Sequence, residues 1–346
     1  MPMTVGVDIS NDLATIAEEA RRFEAMGVDA LFIGETQHNP FLPLVLVAEH
    51  TQRMTLGTSV AIAFPRVPHV TANIAWDLSR YSGGRFVLGL GTQVKAHNER
   101  RFSVPWAPPG PRLREYIECM RAIWDSWQHG TKPSYEGEFY RYRLTSPFFN
   151  PGPIDHPDIP VIISAANPFN ARLAGEVCDG ITIHAFSTFR YIRETLIPAL
   201  HEGARSAGRS LDGLRVQGGG FVVTGRDARE VEEAREATRR QIAFYASTRS
   251  YANVMKAHGW EDEAAQLHHL SLDAQWDEMP RVITDEMLDE FCVVGIWDEL
   301  PSAMRAKLSG IATQLTIPLD PRTPDEDAHA AEIIAALKTI PALGEM

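Results

Sequence analysis

Along the chain, short apolar runs rich in β-branched residues alternate with longer stretches whose apolar positions recur every three or four residues. TVGVD (4–8) predicts a strand, DLATIAEEARRFEAMG (12–27) an amphipathic helix and ALFIGE (30–35) a second strand, together a βαβ unit. The pattern continues with PFLPLVLVAEHT (40–51) as helix, TLGTSVAIA (55–63) as strand, PHVTANIAWDLSRYSGG (68–84) as helix and RFVLGLGT (85–92) as strand. PRLREYIECMRAIWDSW (111–127) is helical, PVIISA (160–165) extended, PFNARLAGEVCDG (168–180) helical and GITIHA (180–185) extended. A helix over 187–208 precedes a seventh strand, LRVQGGGFVVTG (214–225). TQLTIPL (313–319) is the eighth, followed by a closing helix over 325–340. Eight strands interleaved with helices predict a (β/α)₈ TIM barrel, an α/β fold.

A length of 346 residues accommodates either two ordinary domains or one barrel with insertions, so the alternation decides. It predicts a single domain over 1–346, with insertions at about 129–159 and 226–312. The first insertion reads as a small hairpin and a proline-rich loop. The second lies between strands seven and eight and is mostly helical, carrying Tyr245, Tyr251, Trp260, Trp276 and Phe291 as lid or packing residues.

Forty-five acidic residues against 33 basic ones give a net charge of −12, with no basic stripe, which argues against nucleic acid as a partner. Cys119, Cys178 and Cys292 are scattered without a CxxC spacing, so no disulfide framework or zinc site is expected and a reducing cytoplasm fits. The start, MPMTVGVDIS, has no basic and apolar leader pattern, and no stretch reaches the roughly 18 apolar residues of a membrane span. A protein that engages no membrane is expected.

Candidate chemistry begins at GRFVLGLGTQVKAHNERRF (84–102). Gly89 and Gly91 invite a dinucleotide fingerprint, but that motif needs a third glycine three residues on and a helix opening there. Position 94 is Val, and Pro105, Pro108, Pro109 and Pro111 place the next predicted helix at about 111. The glycines instead suit a strand that passes close to a neighbour or a ligand. In a barrel, Thr92 to Asn98 then follow strand four at its C-terminal end, the face that carries active sites. The same face collects Glu35-Thr36-Gln37-His38, Ser59-Val60, Ser164-Ala165-Ala166-Asn167 and His184. His38, between Gly34 and Pro40, is the sharpest proton-transfer candidate, although an isolated histidine also serves as a surface or capping residue. His69, His97 and His184 are weaker candidates, and without an HxH or HExxH spacing no metal is expected.

GVDALFIGETQHNPFLPL, LGTSVAIAFPRVPHVTANIAWDLSRYSGGRFVLGLGTQVKAHNERRF, YEGEFYRYRLTSPFFNPGP and PVIISAANPFNARLAGEVCDG together resemble the luciferase-like flavin- and deazaflavin-dependent oxidoreductases. The resemblance covers most of the chain and is nearest to the branch that uses the deazaflavin coenzyme F420. It implies a barrel with a long insertion before the last strand and a hydride-transfer activity on a small organic molecule. The alternative it leaves open is an FMN-dependent monooxygenase using reduced flavin and oxygen. It further implies a non-proline cis peptide joining Ser59 and Val60, supporting the back of the ring, and ring contacts at Thr92 and Gln93. A phosphate-binding turn is implied at Ser164, Ala165, Ala166 and Asn167, with His97 and Asn98 within reach of the cofactor tail or substrate. His38 coincides with the family's catalytic histidine. The glutamate that dehydrogenating members carry after the fourth strand is replaced by Val94, which leaves Asp8 or Glu35 as the substitute acid or as structural carboxylates. A homodimer is also implied, with the apolar helix 40–51 at its interface.

Overall fold

The computed structural model describes residues 2–9 and 11–345. Eight parallel strands form its centre: Thr4–Asp8, Ala30–Ile33, Thr55–Thr58, Phe86–Gly91, Val161–Ala165, Gly180–Ile183, Arg215–Gln217 and Gln314–Thr316. Each pairs with the next, and the first closes onto the eighth through Thr4 opposite Gln314 and Val5 opposite Leu315. The expected (β/α)₈ barrel is the fold.

Strand alternation sorts the apolar residues into two layers. Leu31 and Ile33 point outward and join the large core between barrel and helices, while Ala30, Phe32, Val87 and Ile162 pack together as a separate cluster. The glycines make these layers fit. A Cβ at Gly57 would stand 2.6 Å from the Phe32 ring, and one at Gly89 would stand 1.9 Å from the Thr58 carbonyl oxygen. Thr58 and Gly89 use that proximity, since the Thr58 hydroxyl donates to Gly89 O at 2.6 Å and accepts from Gly89 N–H at 2.9 Å. Close approach is the role of the opening glycines, as their spacing suggested.

Three predicted elements differ in detail. The third strand stops at Thr58, where a cis Ser59–Val60 peptide breaks the ladder, and resumes as Ala61–Ile62 against Leu90 and Gly91. The seventh ends at Gln217. Gly218, Gly219 and Gly220, at φ 79, 150 and 69, turn the chain out of the barrel. Phe221–Gly225 then pairs in parallel with Cys292–Ile296, a strand inside the stretch expected to be mostly helical. Two apolar runs separated by glycines read as one strand because nothing in their periodicity marks the left-handed turn. Finally, a short helix, Lys95–Arg100, opens with Val94 as its N-cap, and the next begins at Pro109; the prolines after residue 104 do not prevent one and a half turns before them.

The hairpin Tyr135–Glu136 with Arg141–Tyr142 forms as expected. Among the described residues no helix is long and apolar enough to cross a membrane.

Candidate active site

A cavity of about 790 Å³ opens at the C-terminal ends of the strands, lined from Asp8 in the first strand to Pro318 after the eighth. Clefts of this size and place are the usual sites of barrel enzymes.

One wall is the Ser59–Val60 bulge, and Glu35 explains how it is held. The Glu35 carboxylate receives both Arg66 Nη1 and Nη2 at 2.8 Å and the Ile62 amide at 2.7 Å, while the Glu35 amide donates to Val60 O at 3.2 Å. Arg66 Nη1 also donates to Ile62 O at 3.1 Å, and its guanidinium lies 5.3 Å above the Phe41 ring. The two side chains are 16% and 12% exposed. Glu35 thus clamps the backbone that follows the cis bond, at Val60 and Ile62. Its oxygens are committed, so the expectation of Glu35 as a proton carrier gives way to a structural role. Gly91 completes the wall, where an added Cβ would stand 2.6 Å from Val60 Cγ2.

Thr92, Gln93 and Val94 border the cavity next. Gln93 sits at φ 57, and its side chain accepts from Val94 N–H at 2.9 Å. Asn98 is buried behind them and donates through Nδ2 to Thr92 O at 2.9 Å and to Val94 O at 3.3 Å. It shapes the loop and does not line the cavity, which corrects its assignment as a cofactor contact. His97 lies on the exposed side of the short helix, also outside the lining. Both assignments treat the residues after Val94 as an open loop; helical winding turns one inward and the other out.

Ser164, Ala166, Asn167 and Asn170 form a third wall. The Asn167 side chain caps the helix Pro168–Val177 by accepting from Asn170 N–H at 2.9 Å, and Asn170 Nδ2 donates to Ser164 O at 3.2 Å. The amides of Ala166 and Asn167 have no acceptor among the described residues. Ala165, expected with them, is fully buried within the strand and contributes no surface.

Asp8 lines the cavity and takes no hydrogen bond or ion pair among the described residues. Its side chain is exposed to the cavity, and the density of protein around that cavity, which limits the water available to the charged form, pushes its pKa up to about 6. His184 and Tyr251 hydrogen-bond each other at 3.1 Å, and Tyr245 packs edge-on against the imidazole at 4.9 Å. All three line the cavity. Sequence pattern marks Tyr245 and Tyr251 only as insertion aromatics, because their approach to the sixth strand depends on a fold-back that local sequence does not encode. His38 is exposed, in the loop after the second strand, and is not among the lining residues. Among the described residues no group of His, Cys, Asp and Glu has metal-binding geometry.

The structure defines a (β/α)₈ barrel with a cavity at the strand ends, a bulged third strand and a capped turn after the fifth. Residues 2–314 match the luciferase-like monooxygenase family model, and the chain belongs to that family. An uncharacterized protein of Mycobacterium tuberculosis is 44% identical to it, over 89% of this chain and 90% of the other. The F420-dependent glucose-6-phosphate dehydrogenase of Nakamurella multipartita is 34% identical over 59% of this chain and 60% of its own. The coenzyme F420 dependent tetrahydromethanopterin reductase of Methanopyrus kandleri shares the fold, with a TM-score of 0.76, 22% identity and 99% of each chain covered. Similar folds also include a monooxygenase component in complex with FMN. The chain is thus a luciferase-like family member whose fold is shared by an F420-dependent reductase and by an FMN-bound monooxygenase component.

Proposed function

We propose that the protein is an F420-dependent oxidoreductase that moves a hydride between the deazaflavin C5 and a small organic substrate. The observation that carries this reading is the cavity at the strand ends, walled by Val60, Thr92 and Gln93, bordered by the capped turn at Ala166 and Asn167, and holding an uncommitted carboxyl group at Asp8.

The residues present fit such a cofactor. The cavity is large enough for a tricyclic ring and a small partner. The free amides of Ala166 and Asn167, at a capped helix start, suit a phosphate. Val60 would back the ring, with Thr92 and Gln93 along its edge. When bound, the deazaflavin supplies two-electron hydride chemistry. The chain's own part is to orient the ring against the bulge, keep bulk water from the reacting face and manage the proton. Asp8 suits the last of these roles, because a pKa of about 6 lets it exist in both protonation states near neutral pH. His38 would serve only from a loop position that brings it over the cavity edge.

The family's other chemistry, an FMN-dependent monooxygenase, would use the same cavity, and the FMN-bound neighbour of like fold supports keeping it as the second reading. Parallel spectroscopic titrations of the purified chain with F420 and FMN test the choice. Tight F420 binding with turnover independent of oxygen is expected; preferential FMN binding would overturn it. A homodimer is proposed as well, supported by exposed Leu42, Val45, Val67 and Val70 on and beside the second and third helices, Phe41–His50 and Pro68–Tyr81. Sedimentation of a Leu42→Asp variant as a monomer is the expected outcome.

A further inference from the structure

His184 follows the sixth strand, and both nitrogens of its ring are engaged. The Phe186 amide reaches Nδ1 at 3.1 Å, and Nε2 lies 3.1 Å from the Tyr251 hydroxyl oxygen. A backbone N–H can only donate, so Nδ1 carries no proton. Burial keeps the ring neutral by pushing its pKa down to about 4, and no charged group contributes to that shift. A neutral imidazole with bare Nδ1 carries its hydrogen on Nε2. Nε2–H therefore donates to the Tyr251 oxygen.

This settles where the phenol hydrogen goes. It cannot point back at a nitrogen that is already donating, and it has no other acceptor among the described residues. The phenol keeps that hydrogen, since burial pushes its pKa up to about 12. Aromatic contacts fix the ring itself: His184 at 4.8 Å, Phe186 at 5.5 Å and Tyr245 at 5.6 Å between centroids. Tyr251 thus presents to the cavity a donor with no partner, a costly arrangement unless water or a ligand accepts.

The surroundings limit what that ligand can be. Among the described residues lining the cavity none is Lys or Arg, and Asp8 and Glu35 are both there. A phosphate ester or carboxylate would meet no cation at this wall. Phe221, Val222, Met304 and Leu308 give the cavity apolar surface, and the polar residues Gln217, Gln241 and Ser250 that share the lining are uncharged.

We propose that Tyr251 is the substrate-orienting hydrogen-bond donor of the cavity, its hydrogen directed inward by the Nε2–H tautomer of His184. The substrate it meets is uncharged, largely apolar, and offers a carbonyl oxygen or imine nitrogen. His184 is a positioning residue acting through Tyr251. The inference rests on reading the cavity as a shared cofactor and substrate pocket, and it is independent of which cofactor binds.

Two measurements on the full chain without cofactor test it. Long-range ¹H–¹⁵N NMR, with the His184 signal assigned by its loss in His184→Gln, should show bare Nδ1 and protonated Nε2 across neutral pH. The opposite tautomer overturns the proposal. Ligand-observed ¹⁹F NMR then compares 4-fluoroacetophenone with its hydrocarbon twin, 4-fluoro-α-methylstyrene. The ketone should bind about fivefold to tenfold more tightly, the worth of one neutral hydrogen bond. Tyr251→Phe should erase that preference while leaving the hydrocarbon's affinity unchanged. His184→Ala should erase it too, and His184→Gln, which keeps a donor near the place of Nε2, should restore it. Equal binding of the twins, a preference that survives Tyr251→Phe, no binding of either probe up to its solubility, or tighter binding of 4-fluorobenzoate each overturns the assignment. Should neither F420 nor FMN bind while the twins behave as expected, the cofactor reading fails and this assignment stands. Normal cofactor binding with indifferent twins sinks this assignment alone.

Discussion

Replacing Arg66 by Met removes a guanidinium while leaving an unbranched apolar stem over Phe41. Three hydrogen bonds go with it, two to Glu35 and one to Ile62 O. Glu35, 12% exposed, then keeps only the Ile62 amide as a donor. At an effective dielectric constant near 20, two unit charges about 4 Å apart attract by roughly 4 kcal/mol. Removing one partner of a buried pair typically costs about 3–5 kcal/mol, because the remaining charge is stranded. Arg66→Met should therefore lower the unfolding free energy in urea by about 3 kcal/mol. The same logic says that the loss is mostly the stranded carboxylate. The double variant Arg66→Met, Glu35→Met should recover more than half of it. Cofactor affinity separates the two effects: since the clamp holds the backbone from Val60 to Ile62 at the cavity wall, the stable double variant should still bind the cofactor at least tenfold more weakly. A single variant destabilised by less than about 1 kcal/mol would refute the energetic argument. A double variant with unchanged cofactor affinity would refute the link between clamp and bulge.

The two glycines of the fourth strand should respond differently to the same change. Gly89→Ala drives a Cβ to within 1.9 Å of the Thr58 carbonyl, a backbone atom that cannot step aside, so thermal unfolding should show a loss of several kcal/mol or no folded protein. Gly91→Ala meets only the Val60 side chain at 2.6 Å, so the chain should fold with a modest loss and show its defect in cofactor titrations. Asn167→Ala removes the cap of the Pro168–Val177 helix and should cost about 1 kcal/mol in urea denaturation. It should also weaken a phosphate-bearing cofactor more than a phosphate-free deazaflavin analogue. Equal weakening would place the phosphate elsewhere.

The barrel was legible because its signal is local and repeated. Each strand is a short apolar run, and runs such as VIISA and GITI are buried on nearly every position. The breaks in the third and seventh strands were not legible from pattern alone, since TLGTSVAIA and VQGGGFVV remain apolar and extended through them. Of the candidate site, the strand-end residues Asp8, Ser59, Val60, Thr92, Gln93, Ser164, Ala166, Asn167 and His184 do line one cavity. Position at the end of a barrel strand determines that placement. Residues assigned from loops fared otherwise. Asn98 and His97 depended on an unforeseen helical turn, and His38 on the course of an exposed loop. Tyr251 lies 67 residues from its hydrogen-bond partner His184, a pairing that only the folded insertion makes.

Val94 bears on the acid chemistry through what it leaves alone. With Glu35 tied to Arg66, Asp8 is the carboxyl group of the cavity that lacks a partner among the described residues. His184 adds no ionisation near neutrality, because burial holds its pKa near 4. The pH profile of hydride transfer should accordingly show one ionisation near pH 6. When the substrate loses a proton as hydride leaves, ionised Asp8 is required and the rate should rise through that pH; in the reverse direction it should fall. Stability follows its own sign. The folded pKa of about 6 lies above the ordinary 3.8, so the native state holds this proton longer, and Asp8's contribution is lost as pH rises from about 4 to 6 and is flat above. Asp8→Asn should remove both the kinetic ionisation and that stretch of the stability curve. The same single ionisation retained in Asp8→Asn but lost in His38→Gln would instead give the proton to His38.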